Sequence, residues 1–63
     1  MCLSRAIIED GGNKELVMAD VTKLEITGDR LILKSLFGEQ KEITGTLKSV
    51  DFVANTMTVA KAA

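Results

Sequence analysis

The chain has no histidine, tryptophan, tyrosine or proline, and one cysteine, Cys2, among its 63 residues. Each absence closes a route. Without histidine, the commonest general base and the commonest neutral metal ligand near neutral pH are both missing. Hydrolysis needs a nucleophile with an adjacent base, and no imidazole stands anywhere in the chain to activate Cys2. The sequence therefore reads as that of a non-enzyme. A single cysteine cannot close an intrachain disulfide, and a lone free thiol suits the reducing cytoplasm, which is the expected location. The apolar runs are short, far below the roughly 18 residues a membrane helix requires. Only Met1 precedes Cys2, which leaves no room for the apolar region of a secretory signal. No membrane role is expected.

Strong charge of either sign is also lacking. Eight basic residues face nine acidic ones, the sequence pI is about 5.2, and the two signs are mixed along the chain. Arg5, Lys23, Arg30, Lys34, Lys41 and Lys48 each have an acidic residue within a few positions. Small β proteins that bind RNA combine aromatic platforms with a positive groove. Here only Phe37 and Phe52 could stack on bases, and the alternation around Phe52 predicts burial. Nucleic acid is not the expected partner, although a small RNA-binding or purely structural β protein remains the alternative reading. Glu9-Asp10 reads as solvated charge in a turn. Gly11-Gly12 has none of the spacing of a phosphate-binding loop.

What the chain does contain is strand-length segments punctuated by glycines. "EDGGNK" supplies, at Gly11 and Gly12, the positive φ angles of a tight hairpin turn. It joins an apolar run over residues 2–8 to a return strand over 15–19. Leu24 and Ile26 share one face of the next segment, and Leu31 and Leu33 share a face beyond the Gly28-Asp29 turn. "EQKEITG" follows the Leu36-Phe37-Gly38 corner. In the last hairpin Val50 and Phe52 share a face, Asn55-Thr56 makes the corner, and Met57 and Val59 face back. "KELVMADVTKLEI" has partly helical spacing, but Val17, Val21 and Thr22 favour strand and no cap precedes it. The expected fold is all-β, one domain over residues 1–63: a small half-open antiparallel barrel, SH3-like or related, of about six short strands.

A chain this short buries only about 60% of its unfolded surface. Its core supplies about 3 to 5 kcal/mol, and chains of this size usually add a metal, a disulfide or a partner subunit. Ile32, Leu36, Phe37 and Val53 exceed what one small core needs and are expected to cover a second subunit, as is any strand edge left open.

Cys2 remains. With Met1 removed, its thiolate and the free α-amine sit on one residue and close a five-membered chelate ring on a metal. With Met1 kept, amine and thiolate flank the Cys2 amide nitrogen. One such arm has too few ligands for a closed site, whereas two arms meeting across a two-fold axis bring two nitrogens and two sulfurs. A tetrahedral set suits Zn(II), and a square-planar set suits Ni(II) or Cu(II). Alternatively Cys2 is a small apolar residue of the first strand, since free cysteine is often buried. The residues themselves leave both readings open.

Met1-Cys2 leading an apolar strand, the stretch "DVTKLEITGDRLILKSLFGEQKEITG" and the closing "LKSVDFVANTMTV" together resemble the CooT family. These are small accessory proteins associated with nickel insertion into carbon monoxide dehydrogenase, once described as RNA-binding. The resemblance spans essentially the whole chain, with the Leu36-Phe37-Gly38-Glu39 corner among its better markers. It implies a homodimer of small β subunits that binds Ni(II) through Cys2 and its N-terminal nitrogen, with a nickel enzyme as client. Cys2 is the one residue to which a ligand role carries over.

Overall fold

The computed structural model describes residues 3–61. Cys2, the expected ligand, lies outside the described residues. Among the described residues all regular elements are strands: β1 (Ser4–Asp10), β2 (Asn13–Thr27), β3 (Arg30–Ser35), β4 (Gln40–Asp51) and β5 (Thr56–Lys61). Period-two alternation accounts for them. In β3 Leu31, Leu33 and Ser35 are buried while Ile32 and Lys34 are half-buried, and in β5 the buried pair is Met57 and Val59.

The half-open antiparallel barrel of about six short strands does not form. Five strands are hydrogen-bonded in the order β1-β2-β3-β4-β5 and close into a ring. The closing seam is parallel, with Arg5 opposite Thr56 and Glu9 opposite Ala60. Parallel neighbours need a long connection, and the whole intervening chain supplies it. The strand count falls because runs that read as separate strands are continuous. The segments on either side of Asp20 make one strand of 15 residues, and "QKEITG" continues through "TLKSVD" as one of 12.

Each long strand serves two neighbours in succession. β2 pairs with β1 from Asn13 to Val21 and with β3 from Val21 to Thr27. β4 pairs with β3 as far as Thr44 and with β5 from Gly45 onward. The changeovers are made by two different devices. At Asp20 the backbone turns left-handed, with φ 56°, a conformation that aspartate tolerates better than most residues. At Gly45 a β-carbon would run into the Ala60 carbonyl oxygen, so only glycine lets β4 lie this close to β5. The Gly45 N–H donates to the Asp29 carbonyl at 2.8 Å, tying the changeover to the β2–β3 turn.

Inside the ring Ala6, Met18, Val21, Leu33 and Met57 form the core, with Val17, Leu24, Ile43 and Leu47 packed against it. Leu31 and Val59 are also fully buried. Burial of one such aliphatic side chain is worth about 1.5 to 3 kcal/mol. The β1–β2 turn has the expected geometry, with φ 58° at Gly11 and 90° at Gly12. On the face expected to carry both Leu24 and Ile26, Leu24 is half-buried and Ile26 is 60% exposed.

Each half of β2 and each half of β4 has a hydrogen-bonded neighbour on one side only. Each of these halves carries a lysine, Lys14, Lys23, Lys41 and Lys48 in turn, a common way to blunt a free edge. Lys41 Nζ donates to the Val17 carbonyl of β2 at 3.1 Å. Lys48 sits at an irregularity of β4 and reaches across β5 to Glu9 of β1, with Nζ 2.8 and 2.9 Å from the two carboxylate oxygens.

A candidate metal-binding edge at the start of the chain

The first described residues enter the sheet between two turns. Ser4 lies opposite Val21, and the Arg5 N–H donates to the Asn55 carbonyl at 2.9 Å. On the other flank the Leu36 N–H donates to the Asp20 carbonyl, also at 2.9 Å. One end of the sheet thus runs, strand by strand, from the β4–β5 turn through the start of β1 and the Asp20 changeover to the β3–β4 turn. The residue that follows Cys2, Leu3, is half-buried within this row.

Both flanking turns are built by the same device. Ser35, itself buried, accepts the Phe37 N–H at 3.2 Å and the Glu39 N–H at 3.1 Å on its Oγ. Asp51 accepts the Val53 and Ala54 N–H groups on Oδ1, both at 2.9 Å. A short polar side chain that satisfies the backbone of its own turn leaves the next two side chains nowhere to go but outward. Leu36 and Phe37 stand on one tip, and Phe52 and Val53 on the other, at 85% and 95% exposure for the latter pair. The burial predicted for Phe52 fails because its face is already outward at Val50, which is exposed within β4, and because the turn begins once β4 ends at Asp51. Leu36, Phe37 and Val53, expected as surplus, are exposed.

Among the described residues no group of three or more histidine, cysteine, aspartate or glutamate side chains is placed to hold a metal ion. Most carboxylates away from this end are engaged with cations. Glu25 lies 3.2 Å from Lys23 and 3.5 Å from Lys34, Glu42 lies 3.5 Å from Arg30, and Asp10 lies 3.8 Å from Lys61. The Lys48 hydrogen bonds hold the Glu9 carboxyl below its ordinary range. Lys23, chiefly by hydrogen bonding, and then Lys34 do the same to Glu25. A depression of about 300 Å³ lined by Ile8, Asp10, Asn13, Glu15 and Lys61 lies by the β1–β2 turn, at the other end of β1 from Leu3.

The sequence marked Leu36, Phe37 and Val53 as surplus, but it placed Phe52 inside and missed Ser35 and Asp51, the residues that close the two turns. A short polar residue immediately before a large apolar pair and a glycine or asparagine, in "SLFG" and "DFVAN", was the available signal. Among the described residues no helix is long and apolar enough to cross a membrane.

Comparison with known proteins adds what geometry alone does not. Residues 1–60 match the family model for the CO dehydrogenase accessory protein CooT. An uncharacterized protein of Methanocaldococcus jannaschii is 46% identical over 43 residues, covering 68% of this chain and 75% of that one. The crystal structure of a protein assigned as CooT from Carboxydothermus hydrogenoformans superposes with a TM-score of 0.89 at 29% identity, covering 98% of this chain and 100% of the other.

Proposed function

The chain belongs to the CooT family of CO dehydrogenase accessory proteins, and from that premise we propose that it is a nickel-binding accessory protein or metallochaperone of the cytoplasm. The cargo ion, Ni(II), is held by the Cys2 thiolate and N-terminal nitrogen, two such arms meeting in a homodimer, for delivery to a nickel enzyme such as carbon monoxide dehydrogenase. The observation that carries the reading is the family match extending to residue 1, in a chain whose one strong soft ligand stands at position 2. The donor set fits the cargo: thiolate and amine nitrogen suit Ni(II), Cu(II) or Zn(II) and disfavour hard ions. Both groups must lose a proton to bind. With ordinary pKa values near 8.5 for the thiol and about 8 for the amine, apparent affinity rises steeply between pH 6 and 8 and binding releases acid.

Native mass spectrometry with one equivalent of nickel, on the wild type and on Cys2→Ser, tests this directly. The wild type should bind nickel as a dimer, the variant should lose at least about tenfold in affinity, and undiminished binding by the variant would sink the proposal.

The alternative reading, RNA binding, gains one observation: Phe37 and Phe52 are both exposed and free to stack. Against it, the charged neighbours of the two tips include Asp20, Glu39 and Asp51, and the lysines that would track phosphates are mostly engaged with carboxylates or the backbone. Salt-dependent binding of a short single-stranded RNA, lost on substituting Phe37 and Phe52, would favour that reading instead.

A further inference from the structure

We propose that the nickel-enzyme client docks on the outward face of the sheet formed by β1, β5 and the halves of β2 and β4 beside them. This deepens the reading above and rests on its client, naming the face the client uses.

The pairing registers define that face. Residues directly opposite each other on neighbouring strands point to the same side of a sheet. Ala6 stands opposite both Met18 and Met57, and all three are buried in the core, so their side is the inner one. The outward side then carries a central row of Leu16, Ile7, Thr58 and Ser49. On one flank of this row lie Arg5, Thr56 and Asp51, and on the other Lys14, Glu9, Ala60 and Thr46. The central row holds no charge, and its Leu16 is 55% exposed.

The outward face of the remaining sheet, β3 with the other halves of β2 and β4, is built differently. Its charged residues are paired with one another: Glu25 with Lys23 and Lys34, and Glu42 with Arg30. That face leaves no charge over. On the first face the carboxylates are engaged, Glu9 by Lys48 and Asp51 by the N–H groups of its turn. Its cations Arg5 and Lys14, both exposed, have no carboxylate partner among the described residues. The unmet demand is therefore for anions. A complementary partner presents an apolar projection between two carboxylates about 14 Å apart, which is the separation of Arg5 and Lys14 across four residues and one strand spacing.

Size and position favour the client over other occupants. Four strands by five residues cover roughly 19 by 17 Å, well below the roughly 800 Å² each partner contributes to a stable complex and within the range of transient ones. That suits a carrier that must let go after delivery, and is too small to hold a permanent second copy. Arg5 opens the face and Cys2 stands three residues before it, within about 10 Å of chain, so a docked client lies beside the proposed ligand. The face runs along the strands and not across their ends, which leaves the chain starts free to meet. Bases have no platform here, since Phe37 and Phe52 both stand on the turns.

The test is binding of the nickel-loaded full chain to immobilised, nickel-free carbon monoxide dehydrogenase at 50 and 200 mM salt. It compares the wild type with Arg5→Gln/Lys14→Gln, with Leu16→Ser, and with Lys23→Gln/Arg30→Gln, which removes the same charge from the other face. Far-ultraviolet circular dichroism checks folding, and native mass spectrometry checks nickel content and oligomeric state. The wild type and the other-face variant should bind, more weakly at the higher salt. Arg5→Gln/Lys14→Gln and Leu16→Ser should each bind at least tenfold more weakly, with fold, nickel content and oligomeric state unchanged. Docking by these two variants like the wild type overturns the proposal, as does an equal loss in Lys23→Gln/Arg30→Gln or a loss that follows a changed oligomeric state. A wild type that does not dock, or that binds a short single-stranded RNA through this face instead, overturns it together with the client in the reading above. Nickel titration of Cys2→Ser reports on the metal site separately, so a failed docking face and a failed metal site are distinguishable.

Discussion

The turns at the two ends of β1 share left-handed residues, Gly11 and Gly12 at one end, Gly38 and Asn55 at the other, and differ in whether a side chain closes them. At the end where β1 runs into β2, the turn is glycine: Gly11 and Gly12 adopt left-handed angles and present no side chain. Its neighbours Asp10, Asn13 and Lys61 are polar. At the end where β1 begins, the turns are closed by the side chains of Ser35 and Asp51 and hold four large apolar residues in water. The capped end exposes four large apolar side chains, whereas the Gly11-Gly12 turn presents none.

The largest expected effect lies at the changeover of β4. Gly45→Ala forces a β-carbon against the Ala60 carbonyl and should destabilise by about 3 kcal/mol or more, or prevent folding, as measured by urea unfolding. A loss below about 1 kcal/mol would mean that the β4–β5 pairing can shift, and that the two ends are less rigidly related than described.

Next comes Ser35→Ala, which leaves the Phe37 and Glu39 N–H groups without their acceptor. It should cost about 1 to 2 kcal/mol by urea unfolding and loosen the Leu36-Phe37 tip. Asp51→Ala, at an exposed turn, should cost about 0.5 to 1 kcal/mol by the same measurement. At the glycine end, Gly11→Ala should cost about 1 kcal/mol for its left-handed φ. If Gly11→Ala leaves the urea midpoint unchanged, that turn does not depend on glycine and the contrast between the ends is wrong.

The smallest effect is electrostatic. Glu9 and Glu25 have folded-state pKa values below their ordinary ones because lysines hydrogen-bond them. A depressed carboxylate contributes stability that is present above its unfolded pKa, near 4.3, and is lost as pH falls through the folded value. Both pairs are solvent-exposed, so urea midpoints should fall only slightly between pH 5 and pH 3. Glu9→Gln/Glu25→Gln should flatten that slope, and an unchanged slope would remove these pairs from the acid sensitivity.

How far the chain is legible without its structure differs from element to element. The Gly11-Gly12 turn and the buried pairs Leu31/Leu33 and Met57/Val59 followed from two-residue alternation and turn chemistry, both of which act within a few residues. Phe52 did not, because alternation tells which residues share a face but not whether that face is covered: Val50 is already exposed, and β4 then ends at Asp51, whose carboxylate accepts two N–H groups of the turn. The division of β2 at Asp20 and of β4 at Gly45 misled in the same way, since a break and a change of partner look alike along the chain. For the candidate site, Cys2 stood out by elimination, and Leu36, Phe37 and Val53 as apolar residues in excess of the core, whereas Phe52 was expected inside.

What the sequence by itself determined is therefore local and compositional: strands instead of helices, a glycine hairpin, a single thiol beside the chain start, and membership of the CooT family. What only the tertiary structure decided is which strands neighbour which: the parallel seam of β1 with β5, two long strands each shared between two neighbours, and two distant turns brought to either side of the chain start. The reason is that alternation specifies the face a side chain takes, whereas pairing depends on contacts between residues as far apart as Arg5 and Thr56. The energy of those contacts exists only once the ring has closed.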